Sequence, residues 1–160
     1  LGLLTSSGNP FLVSLDHQRV WYRYHHLFGD VLRGRLRASA PERFRELACL
    51  AADLLERDGD IEGALRLAVD AGDRARAAAL VVQDAVRLGF DGRAGVLARR
   101  LGMLDARTFA EHPDAAVARA WLGVTTADGE LIQRSLMLAM RCDRGQSLSD
   151  GTPSVRVAVA

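Results

Sequence analysis

The period of the apolar positions changes near Ser39. Upstream, Phe11-Leu12-Val13-Ser14-Leu15-Asp16 and Val20-Trp21-Tyr22-Arg23-Tyr24 are rich in β-branched and aromatic residues, a strand composition. Alternation places Val20, Tyr22 and Tyr24 on one face of the second run and Trp21 and Arg23 on the other. With His17-Gln18-Arg19 as the turn, the two runs predict a β-hairpin. A helix is expected from roughly His26 to Arg37, with Leu27, Val31 and Leu32 on its inner face. A hairpin beside a helix is the wing half of a winged-helix unit.

Downstream, apolar residues recur every three or four positions. Ser39-Ala40-Pro41-Glu42 reads as a helix start, with a Ser cap, Pro in the first turn and Glu three residues after the Ser. Its expected stripe is Phe44, Leu47, Ala48, Ala51, Leu54 and Leu55, ending at Gly59. Asp60 should cap the next helix (Ile61, Ala64, Leu65, Ala68), which ends at Gly72. Asp73 should cap a third (Ala78, Val81, Val82, Ala85, Leu88), ending at Gly89. Asp91 should cap a fourth (Ala94, Leu97, Ala98, Leu101), ending at Gly102. Glycine at a helix C-terminus followed by aspartate at the next N-cap explains this rhythm, and it explains the aspartates without catalysis. Pro113 opens a further helix with Val117, Ala120, Trp121 and Val124. Asp128-Gly129 breaks it, and Leu131 to Met140 forms its partner.

The predicted fold class is mainly α: a short winged-helix remnant with a β-hairpin, followed by a tetratricopeptide-like α-solenoid of antiparallel helix pairs. Residues 1–38 are assigned to the winged helix and 39–142 to the repeats. Residues 143–160 are assigned to a polar linker and the start of a further element. Gly59, Ala64 and Ala68, and later Trp121-Leu122-Gly123 before Gly129, approach the small-residue positions of such repeats.

Composition narrows the chemistry. The chain has 160 residues and is 49% hydrophobic, enough for a core. Its formal net charge of +1 gives no general attraction to an acidic partner. All 21 basic residues are arginine, so the chain holds neither the lysine of a phosphate-binding P-loop nor a Schiff-base amine. An enzyme acting on its own is not expected. Cys49 and Cys142 have no Cys or His at metal-ligand spacing, which fits a reducing cytoplasm and no metal. No apolar run is long enough to span a membrane. Leu1-Gly2-Leu3-Leu4 has no initiator Met and no signal-peptide pattern, so the chain reads as starting in mid-protein.

Asn9-Pro10-Phe11-Leu12-Val13-Ser14-Leu15-Asp16, and then the string from Trp21-Tyr22-Arg23-Tyr24-His25-His26-Leu27-Phe28 to Leu36, resemble the MalT-type, LuxR-family transcription regulators. The resemblance continues more weakly through the Ala-rich repeats and includes His112-Pro113 before Ala120-Trp121-Leu122. It implies a parent with a nucleotide-binding switch module, a winged helix, a helical-repeat sensor and a C-terminal helix-turn-helix that binds DNA. ATP or ADP would be the parent's cofactor, with none held by this segment alone. In that wider class of signal-transduction ATPases, the winged helix supplies a His from a Met-His-Asp-like motif to the ADP β-phosphate. His25 matches that His. Tyr24 stands where the motif has Met and His26 where it has Asp, so the carboxylate is missing and these two are support residues at most. The implied partners are the parent's own nucleotide-binding domain and an effector or protein on the repeats. DNA would be reached only through a domain outside these residues.

Other readings stay open at this point. His25-His26 could hold a metal, although adjacent positions on a regular element diverge. Trp21 to Tyr24 could stack on nucleic acid, or simply pack on a neighbouring helix. Arg33, Arg35, Arg37, Arg43 and Arg45 make a basic stretch that could touch DNA. The whole could instead be a protein-interaction scaffold from a signalling protein with a different effector domain, such as a cyclase or kinase.

Overall fold

The computed structural model describes residues 12–14 and 22–142, with side chains from Tyr24 onward. Over these residues the protein is mainly helical. It divides into two compact units, Leu1–Glu46 and Leu47–Ala160.

In the first unit, strand β1 (Leu12–Ser14) pairs antiparallel with β2 (Tyr22–Tyr24), in the register Leu12↔Tyr24, Val13↔Arg23, Ser14↔Tyr22. The turn expected at His17-Gln18-Arg19 lies outside the described residues. Helix α1 follows immediately (His26–Ser39). Its expected inner face is not covered: Leu27 is 62% exposed, Val31 57%, and α1 buries no residue. Periodicity identifies an apolar stripe but not what lies against it.

Helix α2 (Pro41–Arg57) begins one residue after α1 ends. Ser39 does not cap it. Because α1 runs on through Ser39, that hydroxyl donates back to the Arg35 carbonyl at 2.8 Å. The Ala40 carbonyl instead accepts the first bond of α2, from Phe44 N–H at 3.0 Å. The buried seam of α2 is Phe44, Ala48 and Ala52, with Leu55 half-buried, whereas Leu47 and Leu54 face out.

Helices α3 (Ile61–Ala71), α4 (Arg74–Phe90), α5 (Ala94–Leu101), α6 (Ala106–Glu111), α7 (Pro113–Thr126) and α8 (Gly129–Cys142) complete the second unit. Helix α4 is central and packs against α3, α5, α6 and α7, while α7 and α8 pack along each other. Their register is antiparallel: Arg119 meets Ser135, and Gly123 lies against Ile132, so positions equidistant from the turn face each other. Arg100 on α5 meets Asp84 on α4 in the same manner. The core is built from Leu65, Leu80, Val81, Leu88, Leu97 and Phe109 among many alanines. Small side chains let helix backbones approach closely.

Local chemistry sets the helix ends. Asp60 accepts from Gly63 N–H at 2.9 Å and Asp73 from Arg76 N–H at 3.0 Å, as their N-cap positions require. Gly59 and Gly72 take the positive φ that closes the preceding helix. The third boundary differs from expectation. Gly89 stays inside α4, Asp91 is that helix's C-cap, and Gly92 takes the positive φ (69°). Arg93, whose side chain makes no capping bond, precedes α5. Gly89 is a packing glycine, because a Cβ there would lie 2.8 Å from Thr125 Cγ2 on α7. Asp105, unanticipated as a cap, accepts from both the N–H and the hydroxyl of Thr108 at 2.7 Å. These bonds hold its carboxyl below the usual range.

Candidate functional site

The β2–α1 junction brings Tyr24, His25 and His26 together. His25 occupies the N-cap with extended backbone (φ −53°, ψ 134°), and its carbonyl accepts the Gly29 N–H at 3.0 Å. Its side chain makes no capping bond, and the first turn of α1 carries no acidic residue. The start of α1 is therefore a helix N-terminus whose positive dipole end no carboxylate of its own first turn offsets. That environment suits an anion.

His25 is half-buried and His26 exposed. Their ring centroids lie 4.4 Å apart at 30°, so at this strand-to-helix corner adjacent side chains do not diverge as they would on a regular element. Metal ligation needs more than this pair. Among the described residues, no group of three or more His, Cys, Asp or Glu could hold an ion. The Tyr24 ring sits 5.5 Å from that of Phe28, bracing strand against helix, yet Tyr24 remains 49% exposed.

The basic stretch is largely compensated on its own helices. Arg33 pairs with Asp30, Arg43 with Glu46 at 2.9 Å and Arg45 with Glu42 at 2.6 Å. The Arg37 guanidinium lies 4.7 Å from the Phe44 ring centroid. Such exposed pairs stabilise little.

Sequence spacing did not disclose the long-range ion pairs of the second unit, of which only Arg100 is a buried member. Arg76 reaches Asp53 (2.5 Å), Glu56 (2.8 Å) and the Cys49 carbonyl (3.4 Å). Arg100, 8% exposed, pairs with Asp84 at 3.3 Å. Burial pushes the Asp84 carboxyl up, but hydrogen bonds from Arg87 and Arg100 outweigh it and hold the group below its ordinary value. Apart from Arg87, these partners lie 16 to 27 positions apart, so only the tertiary fold joins them.

Residues 5–44 match the family described as the MalT winged helix domain. The chain is similar to the MalT-type regulators. It is 26% identical over 124 residues to the HTH-type transcriptional regulator MalT of Vibrio parahaemolyticus, a match covering 76% of this chain and 14% of that protein. With the MalT of Klebsiella pneumoniae it shares 29% over 112 residues, covering 70% and 12% respectively. A serine/threonine-protein kinase, PknK of Mycobacterium tuberculosis, is equally similar: 29% over 114 residues, 71% of this chain and 10% of the kinase. The chain thus spans 10% to 14% of the length of these relatives. No solved structure matches it. Among the described residues no helix is long and apolar enough to cross a membrane.

Proposed function

We propose that this chain is the regulatory segment of an ATP-dependent, LuxR-family transcription regulator, coupling a nucleotide switch to effector sensing. The winged-helix match over residues 5–44, continued by helical hairpins that pack in series, carries this reading. The hairpins are read as the opening of a tetratricopeptide-like array whose surface receives an effector or protein. His25 is read as the group that donates an imidazole N–H to the ADP β-phosphate in the parent, with Tyr24 and His26 in support. An N-terminus without a first-turn carboxylate and a half-buried imidazole support that role. Loss of ADP would release this contact and free the winged helix to turn, a hinge-type switch. The chain itself binds neither ATP nor promoter DNA in this scheme.

The kinase relative favours a second reading, in which the same segment serves a protein with a catalytic effector domain. Promoter binding by the parent, compared between its ADP- and ATP-loaded forms, separates the two. Nucleotide-dependent DNA binding supports the regulator. Protein phosphorylation without DNA binding supports the kinase-type parent.

A further inference from the structure

Arg119, which is half-buried, differs from half-buried Arg76 and buried Arg100. Arg76 and Arg100 are each answered by carboxylates, whereas among the described residues none pairs with Arg119. Two sides of its guanidinium are nevertheless held by protein. Nε donates to Ser135 Oγ at 3.0 Å, and Ser135 is fully buried, so this acceptor is fixed. One face lies 4.5 Å from the ring centroid of buried Phe109. The Nη1/Nη2 edge is left without a hydrogen bond to any described residue. Arg134, the neighbour of Ser135 on α8, adds a second positive charge. Burial, and then the Arg134 charge, pull the Arg119 pKa below its ordinary value. Arg134 itself has only a loose, exposed pairing with Glu130 at 3.4 Å, so it can turn toward another anion.

A planar guanidinium locked on one edge and one face is preorganised for bidentate pairing through its remaining edge. The geometry points to an oxyanion-binding position between α7 and α8, in which Arg119 takes two oxygens of a carboxylate or phosphate group and Arg134 supplies the second cation. An anion there would also relieve the repulsion between the two arginines.

The test uses the full 160-residue chain with labelled arginine side chains, titrated at constant ionic strength with inorganic phosphate and, separately, malonate. The expected result is a saturable shift of the Arg119 Nε–H resonance and a rise in Tm with at least one probe. Response to phosphate alone assigns the phosphate class, and response to malonate alone the carboxylate class. Arg134→Gln, at an exposed position, should keep the helical circular dichroism and weaken binding by about tenfold, the worth of one charge-assisted hydrogen bond. Arg119→Lys should abolish the saturable response, and Arg107→Gln on α6 should leave it intact. Failure of both probes to saturate would overturn the proposal, as would unchanged affinity in the Arg119 and Arg134 variants. An equal loss in the Arg107 variant would also overturn it, showing only general charge screening.

Discussion

Gly123 and Gly95 are both helical glycines, and the structure predicts opposite consequences for replacing them with alanine. A Cβ at Gly123 would lie 2.7 Å from Ile132 Cγ1 and 3.0 Å from both the Asp128 carbonyl oxygen and the Ile132 nitrogen. Carbon contacts are comfortable at about 3.5–4.0 Å. The Ile132 side chain can rotate, but the two backbone atoms can retreat only if α7 and α8 separate. Overpacking of this kind costs about 1–3 kcal/mol, against a gain of about 1 kcal/mol from replacing a helical glycine. With backbone as the obstacle, the net loss should be about 1–2 kcal/mol, lowering Tm by about 3–6 °C in a chain of this size. At Gly95, in the first turn of α5, the added Cβ meets nothing within 4 Å. Gly95→Ala should therefore gain about 0.5 kcal/mol and raise Tm by about 1–2 °C. Thermal unfolding followed by far-ultraviolet circular dichroism measures both. Equal stabilisation by the two substitutions would refute the close α7–α8 approach.

Three further outcomes follow from the helix ends and the buried charges. Asp60→Ala and Asp73→Ala should each cost about 1 kcal/mol in urea unfolding, whereas Asp91→Ala, which removes no capping bond, should cost a few tenths at most. Ala127 closes α7 at φ 54°, a conformation that costs a residue with a Cβ about 1–2 kcal/mol. Ala127→Gly should thus raise stability by about 0.5–1 kcal/mol after the added unfolded-state entropy is subtracted, measurable as a higher urea midpoint. The lowered pKa of Asp84 means that its contribution is fully present above the unfolded carboxylate pKa of about 3.9 and is lost as pH falls through the lower folded value. Urea midpoints of wild type and Asp84→Asn, measured from about pH 7 to about pH 2, should differ at neutral pH and converge in acid. A constant gap would show that the Arg87 and Arg100 contacts do not set its charge.

Features governed by neighbours in sequence were legible without coordinates. The Asp60 and Asp73 caps, the left-handed Gly59 and Gly72 and the Pro113 helix start all depend on residues within one turn. The Gly89–Asp91 boundary was not legible. Gly89 and Gly92 look alike in sequence, and only the approach of Thr125 tells a packing glycine from a capping one. The stripe on α1 shows the same limit, since Leu27 and Val31 have helical spacing but no cover. At the candidate site, the Trp21–Leu36 string identified the winged-helix segment, and the residues placed His25 at a strand-to-helix corner. The nearness of the two imidazoles came from the N-cap backbone of His25, which regular-element geometry does not anticipate. The Arg119 position joins Arg119 on α7 with Phe109 on α6 and with Ser135 and Arg134 on α8, and left no local trace.

The central claim is that His25 senses a nucleotide held by the rest of the protein. ADP retained through purification of the parent protein, wild type against His25→Ala, tests it most directly. Bound ADP in the wild type and its loss from a normally folded variant is the predicted result. Equal retention by both would contradict the claim and leave the β2–α1 corner as a structural lead into the helical unit.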